Sequence, residues 1–516
     1  MAQLRLCLME LGSTESGKGV VEELRHLVPN VWIAGVEKRS DYSHSAFDHV
    51  VTTQSEAFLG NYNGSLLPSL AITPELDTLM APFEGKLLNI LGLAATRPTH
   101  HYPKPSYGVP LFRDSYAARK DLLTRHILFW NRFFTDYRID CVIHENLGQE
   151  GYDYVALQLA RARSIPTLTF NITGQFPRVL FVQETESGIG DLALGQHLKS
   201  ADPQIREREA PEFIRRSLKE TQRSPDAGLR SEPVGYKTHA MISWLFDRSI
   251  YVNKGILRSL PTVAFRKVVR VLKSPKESFF NLRRSSRLMR VSSKNQKEEA
   301  SVCTDTNLSI PYLYFPLHFQ PETSTSIKAR SFYRLREAVA FVASALPPGF
   351  MLLVKEHPHQ FRRLLEREEG FYRQIAAIPQ VQLIHHATPN GVLVKNSRAI
   401  VCASHSSITA HAILNNKIVI SLGDSHFREA PGYFCVRSTE ELSTVMSHVA
   451  AGTAADSFGR LEEFVTALEA STIEGEFGEK PDELPDEEWR RTSDVTRHGV
   501  SRIITEWLRL RGLLQR

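Results

Sequence analysis

Residues 399–422 read AIVCASHSSITAHAILNNKIVISL. An apolar run rich in β-branched residues is followed by a turn of small polar residues, a helix-length segment and a second apolar run. That is the strand–helix–strand unit of a parallel sheet, whose strands are apolar throughout because helices cover both faces. The same rhythm extends outward. Strands are expected at Tyr312–Leu317, Phe350–Val354 and Val381–Ile384. Helices are expected at Phe332–Leu346, Phe361–Ile378, Gly391–Asn396 and Ser407–Leu414. The first of these places Phe332, Leu335, Val339, Val342 and Leu346 on one face by their three–four spacing.

The alternation also runs through residues 1–182. Leu4–Met9, Val31–Val36, Asp140–His144 and Pro166–Phe170 read as strands, and Val20–Leu27, Tyr116–Phe134 and Tyr152–Arg163 as helices. Residues 183–306 break it: they are polar, rich in Arg, Ser and Pro, with helical pieces at Trp244–Val252 and Val263–Leu272. The expected fold class is therefore α/β, with two Rossmann-like doubly wound domains facing a cleft and a helical basic middle segment. The expected divisions are 1–182 for an N-terminal acceptor domain, 183–306 for the basic insertion and 307–480 for a C-terminal nucleotide-sugar domain. An acidic segment and helix occupy 481–516.

With 516 residues the chain is long enough for several cores. At 42% hydrophobic and 23% charged residues it is neither disordered nor fibrous. Its five cysteines follow no metal or disulfide spacing, which fits a reducing compartment. The first residues lack the pattern of a signal peptide, and Pro347-Pro348-Gly349 interrupts the most apolar segment, so no membrane span is expected. The net charge is +6, yet Arg266–Lys297 alone holds eleven basic residues against one acid, Glu277. This belt outweighs the whole net charge and leaves the rest mildly acidic. Interleaved Phe279, Phe280, Leu282, Leu288 and Met289 suit an anionic membrane surface. A solvated linker and a nucleic-acid backbone are the other readings, and no nucleic-acid partner is expected.

Candidate chemistry clusters where expected strands end, since ligands of such sheets bind at the carboxyl ends. Lys355, His357 and Pro358 follow the strand FMLLV and offer a cation and a ring donor to a phosphate. Ser406 and Ser407 open a helix whose N–H groups can meet an anion, or serve as a plain cap. His318 and Glu322 follow the strand YLYF, while His144, Glu145, Glu150 and Asp153 follow CVIH. Any of these carboxylates or imidazoles could deprotonate an acceptor hydroxyl. Gly12–Gly19 nearly spells a P-loop, but Gly19 stands where a Mg²⁺-binding hydroxyl is needed. No H-E-x-x-H or suitable D-x-D is present, and His385-His386 reads as an ordinary strand end, so no metal ligands are expected.

The blocks CVIHENLGQEGYDYVALQLARARSIPTLTF, YLYFPLHFQPETST, LLVKEHPHQ and AIVCASHSSITAHAILNNKIVISLG resemble, in this order, blocks of bacterial capsule and surface-polysaccharide biosynthesis proteins. Those are similar to glycosyltransferases of the two-Rossmann (GT-B) type, including Kdo- and sialyl-transferases that use CMP-activated sugars. The resemblance covers roughly residues 140–182 and 311–435. It implies that Lys355, His357 and Pro358 bind the nucleotide phosphate, with Ser406 and Ser407 as a second contact. His411-Ala412 stands where many relatives have a Glu-Ala pair whose Glu grips the ribose, and Ser406-Ser407 where they have Gly-Thr. The implied protein is a metal-independent glycosyltransferase without a cofactor. Its substrates would be a nucleotide-sugar donor and a lipid-linked or oligosaccharide acceptor. It would work in the cytoplasm at the inner face of the membrane. A non-catalytic scaffold, a CDP-polyol phosphotransferase and a P-loop NTPase are the alternatives.

Overall fold

The computed structural model describes residues 3–11, 14–37, 46–52, 61–62, 65–66, 72–94, 116–148, 151–172, 178–184, 191–223, 275–304, 308–320, 322–362, 365, 367–452, 460–477, 480 and 484–515. Glu150, the expected helices Trp244–Val252 and Val263–Leu272, and the belt residues Arg266–Lys273 lie outside them.

The first unit begins with β1 (Leu4–Met9), α1 (Glu15–Leu27), β2 (Val31–Glu37) and β3 (His49–Thr52), then a small hairpin of β4 (Asn61–Tyr62) and β5 (Ser65–Leu66). It continues with α2 (Pro74–Ala94), α3 (Tyr116–Asp136), β6 (Cys141–His144), α4 (Tyr152–Ala162), β7 (Thr167–Ile172) and β8 (Val179–Gln183). Strand order reverses between β1 and β6, with β2 and β3 on one side and β7 and β8 on the other. Pairs β1–β2, β2–β3, β1–β6 and β6–β7 are parallel, and β8 turns antiparallel. One sheet face packs Met9, Val36 and Val142 under α3 and α4, and the other packs Leu8, Ile143 and Phe170 under α1.

Next come α5 (Leu192–Ala201), α6 (Phe213–Arg223) and α7 (Pro275–Val302). The second unit is β9 (Tyr312–Pro316), α8 (Leu335–Ala343), β10 (Met351–Lys355), α9 (Pro358–Arg362), α10 (Phe371–Ala376) and β11 (Val381–Ile384). It continues with α11 (Asn390–Asn396), β12 (Ala399–Cys402), α12 (Ser407–Leu414), β13 (Ile418–Ser421), β14 (Tyr433–Cys435), α13 (Thr439–Ala451) and α14 (Leu461–Ser471). All described pairs of this sheet are parallel, in the order β11-β10-β9-β12-β13-β14. Counted from β9 that is 3-2-1-4-5-6, the dinucleotide-binding order, whose crevice opens at the reversal between first and fourth strands. The α/β architecture of two doubly wound Rossmann-like units is thus present.

Three details differ from the expected elements. The chain crosses back to the first unit before residue 480: β15 (Ile473–Glu474) pairs antiparallel with β8. The following α15 (Asp486–Leu510) lies on α1, where Ser16 Oγ donates to Ser493 Oγ at 2.9 Å and Trp507 is fully buried. The expected helix Phe361–Ile378 is two short helices, because Gly370 adopts φ +76° and Arg367 turns inward to a buried carboxylate. The expected helix Phe332–Leu346 narrows to α8, preceded by a 3₁₀ turn at Arg330–Tyr333 whose first residue has φ +51°.

The units interlock. Ile327 of the β9–α8 connection is 1% exposed within the first unit's core. Val179, Phe181, Leu192 and Phe213 bury themselves in the second unit's core beside Ile408 and Phe427. Asn171, near the carboxyl end of β7, reaches Lys328 across the seam at 3.2 Å. No described helix is long and apolar enough to cross a membrane.

Candidate functional site

Strand ends of the second sheet build one recess. Pro316, Leu317 and His318 after β9, Lys355 to Pro358 after β10, Asn390 of α11, and Ser406, Ser407 and Ile408 at the start of α12 line it. A larger polar hollow at the amino ends of β9, β12 and β13 is lined by Pro311, Arg398 and Ile418, on the opposite side from the strand ends that carry the candidate chemistry. The structure thus joins Lys355, His357, Pro358, Ser406, Ser407 and His318 in one place.

Each has a specific geometry. Ser406 caps α12, accepting from Thr409 N while its own N–H donates to Thr409 Oγ1 at 3.1 Å. This reciprocal box fixes the direction in which the helix N-terminus, with its partial positive charge, opens on the recess. His357 Nδ1 accepts from His359 N at 3.1 Å, so a neutral ring carries its proton on Nε2. Lys355 is buried, and its Nζ donates to the Thr388 carbonyl at 2.8 Å. His318 donates from Nε2 to the His405 carbonyl at 3.4 Å, and burial holds it below the ordinary histidine range.

Beneath the loops lies a buried ion pair that the sequence did not suggest. Glu356 is 0% exposed. Arg367 Nε donates to Glu356 Oε2 at 2.8 Å and Nη2 to Oε1 at 2.9 Å. Arg367 also holds the His318 carbonyl at 2.7 Å and Gln320 Oε1 at 2.5 Å. Tyr372 Oη donates to the same carboxylate at 2.8 Å, and His357 N donates to it at 2.7 Å. One carboxylate–guanidinium pair thus sets the loops after both β9 and β10. Burial works against the Arg367 charge, but Glu356 outweighs it and raises the guanidinium further.

The seam carries a second cluster. Lys328 is fully enclosed, with Nζ 3.2 Å from Asn171 Oδ1 and 3.4 Å from His405 Nε2. Burial pushes it down to about 8, against the pull of Glu322 and Asp424. The His405 ring lies 4.4 Å from that of His426, which lies 4.5 Å from Phe181 of β8. Burial first, and then the Lys328 charge, keeps both imidazoles neutral by driving them well below the usual value. Gly423 is required here, since a Cβ would sit 2.4 Å from the carbonyls of Ala403 and Lys328.

The expected bases separate. Glu322 is half-buried in the loop after β9 and accepts from Ser324 Oγ at 2.6 Å. His144 and Asp153 stand at the first sheet's carboxyl end, at its reversal. Burial takes His144 down to about 3, so it stays neutral near pH 7 and is a weak proton acceptor. Asp153 is buried and turns Oδ1 back onto Tyr154 N at 2.7 Å. His411 lies near the end of α12, 3.3 Å from Asn415 Nδ2, and is not among the residues lining the recess.

The near-P-loop reads as packing. Thr14 caps α1 by accepting from Gly17 N at 3.2 Å. A Cβ at Gly17 would lie 1.5 Å from the Leu11 carbonyl oxygen, and one at Gly19 would lie 2.9 Å from Arg497 Cδ. Gly12 and Ser13 are outside the described residues.

Sequence reasoning passed over Glu356, Arg367, Tyr372, Lys328, His405, His426 and Asn171. Two signals were available: Glu356 lies inside the K-E-H-P block, and Lys328 is a lone cation in the otherwise uncharged run TSTSIKA.

No protein-family model and no curated protein matches the chain. Solved structures that align with this chain include UDP-GlcNAc 2-epimerase from Neisseria meningitidis bound to UDP-GlcNAc, at 11% identity and TM-score 0.27, covering 91% of this chain and 97% of that one. CalG4, the calicheamicin glycosyltransferase, aligns at 10% identity and TM-score 0.24 over 91% of this chain and 95% of that one. A glycosyltransferase from Rickettsia africae ESF-5 aligns at 10% and 0.24, over 91% and 94%. Overlap at this level says nothing of activity, which has to come from the chain's own side chains.

Proposed function

We propose that the protein is a glycosyltransferase. The second unit takes a nucleotide-activated sugar, a CMP sugar in the first instance. The first unit takes an oligosaccharide or lipid-linked acceptor of surface-polysaccharide synthesis. The observation that carries this reading is the convergence of a capped helix N-terminus, the His357 ring and the His318 loop in a recess at the strand-order reversal. That convergence suits a phosphate-bearing ligand. In the reaction the acceptor oxygen bonds to the anomeric carbon, and the bond from that carbon to the phosphate oxygen breaks. The acceptor proton passes to a cleft base, with Glu322 the candidate on the loop after β9. The charge left on phosphate meets the α12 N-terminus and the His357 Nε2 proton, while Lys355 braces the loop through Thr388.

The basic belt fits an anionic membrane surface. On α7 its members Arg290, Lys294 and Lys297 are exposed, while Ser292, Asn295 and Glu299 dock inward. A second reading, a non-catalytic member of a glycan assembly complex, is favoured by His411, which sits outside the recess where relatives are implied to place a ribose-binding Glu.

The test is a thermal-shift panel on the full chain with CMP, CDP, UDP, GDP and ATP, each with and without Mg²⁺. A ligand at about 100 times its Kd adds about 2.7 kcal/mol. The expected outcome is stabilisation by one pyrimidine nucleotide, lost in His357→Ala. Silence across the panel favours the scaffold, and stabilisation by Mg²⁺-ATP alone sinks both readings.

A further inference from the structure

Away from the recess, helix α7 presents two adjacent acids, Glu298 and Glu299, to the second sheet's edge. Glu298 does ordinary work, accepting from Tyr372 N and Arg373 N at 3.1 Å and so capping α10. Glu299 is different. It is 0% exposed and faces two consecutive imidazoles just past the carboxyl end of β11. His386 N donates to Glu299 Oε1 at 2.8 Å, and His386 Nδ1 lies 3.0 Å from Oε2. His385 Nε2 lies 4.0 Å from the same Oε2, and the two rings are 4.2 Å apart. One ligand atom from each of the three residues falls within 4.8 Å of the others.

We propose that Glu299, His385 and His386 form a binding site for a divalent transition metal of the zinc type. The donor set is two imidazoles and a carboxylate, which suits zinc and its borderline neighbours better than calcium or magnesium. The spacing fits. Two ligands each about 2.0–2.1 Å from a tetrahedral ion stand about 3.3 Å apart, and the observed 3.0 and 4.0 Å bracket that value. The two imidazoles' ligand atoms lie within 4.8 Å of one another, and movement of the His385 ring, which is 48% exposed, has to close the set. That exposure also provides an entry path and leaves room for water as a fourth ligand.

Other contacts orient the ligands. Phe361 packs edge-on to the His386 ring at 4.9 Å. Ala387 N donates to His385 Nδ1 at 3.3 Å, which leaves the neutral ring's proton on Nε2, so ligation through Nε2 moves that proton to Nδ1 and gives up the Ala387 contact. The site joins α7 to the turn that carries Thr388, whose carbonyl holds Lys355 Nζ. A bound ion would therefore stiffen the wall of the recess without touching its ligand. None of this depends on the glycosyltransferase reading.

The test is titration of chelator-treated full-length protein with Zn²⁺ by calorimetry and with Co²⁺ by visible absorption. One equivalent should bind, and Co²⁺ should show the intense d–d bands of a four-coordinate nitrogen–oxygen site. Glu299→Gln and His386→Ala should each weaken binding by about 100-fold or more, beyond the 10–100-fold of an outer partner. His385→Ala alters an exposed ring, folds as the parent does by melting temperature, and should lose the tetrahedral Co²⁺ spectrum. His197→Ala, an exposed histidine of α5, should bind as the parent does. Failure to bind one equivalent, or equal binding by the parent and His385→Ala, overturns the proposal.

Discussion

Replacing Arg367 by methionine leaves the Glu356 carboxylate in the interior with the Tyr372 hydroxyl and the His357 amide as partners. Four hydrogen bonds are lost, two of them to an ionised group that is 0% exposed. Removing one partner of such a pair costs about 3–5 kcal/mol, mostly because the remaining charge cannot be resolvated. In a unit of this size each kcal/mol moves the midpoint by about 2–4 °C, so the second unit's melting transition should fall by about 6–20 °C. The double variant Arg367→Met/Glu356→Gln removes the orphaned charge and should recover at least half of the loss. Differential scanning calorimetry of parent, single and double variants makes the cycle. If Arg367→Met melts within 2 °C of the parent, or if the double variant is as unstable as the sum of the singles, the pair is not what sets these loops. Nucleotide affinity supplies a second readout, since Arg367 also holds the His318 carbonyl that borders the recess.

Three further outcomes follow from the packing. Lys328 is neutral in the fold above about pH 8 but protonated in the unfolded chain up to about 10.5. The unfolded state thus binds the extra proton in that window, so the Lys328 contribution to stability rises with pH across it, by about 3 kcal/mol in all. The denaturation midpoint of Lys328→Met minus that of the parent should shrink from pH 8 to 10.5, and a flat difference would refute the burial argument. Gly17→Ala should destabilise by about 1–3 kcal/mol because its Cβ meets the Leu11 carbonyl. Gly85→Ala on α2, where a Cβ meets nothing within 4 Å, should stabilise by up to about 1 kcal/mol in the same melting assay.

What the sequence revealed and what it hid follow a physical line. Strand ends were legible because apolar runs stop at polar turns, and this alone brought Lys355, His357 and Ser406 to one recess. The two buried clusters were not legible. Asn171 and Lys328 are 157 positions apart, as are Lys328 and His405 by 77, and no local pattern links them. Arg367 sits in the run RRLLEREEG, which reads as solvated surface until the turn at Gly370 is known. The docking face of α7 is built from Ser292, Asn295, Glu298 and Glu299, so apolar periodicity could not announce it. The return of β15 and α15 to the first unit was hidden for a similar reason: a two-residue strand carries no periodic signal.

That return reverses the usual order of assembly during synthesis. The first unit needs α15 to cover α1 and needs β15 to close the edge at β8. A ribosome that has finished β7 at Ile172 must still add everything up to Leu510, roughly 20–70 s of elongation at bacterial to eukaryotic rates. Meanwhile the face of α1 that will meet α15 has no permanent cover. The second unit, continuous from Tyr312 to Ala451 among its sheet and flanking helices, is complete earlier and can offer its surface as the template. A nascent chain of this design is exposed to chaperones and proteases through its first unit until α15 arrives as the latch.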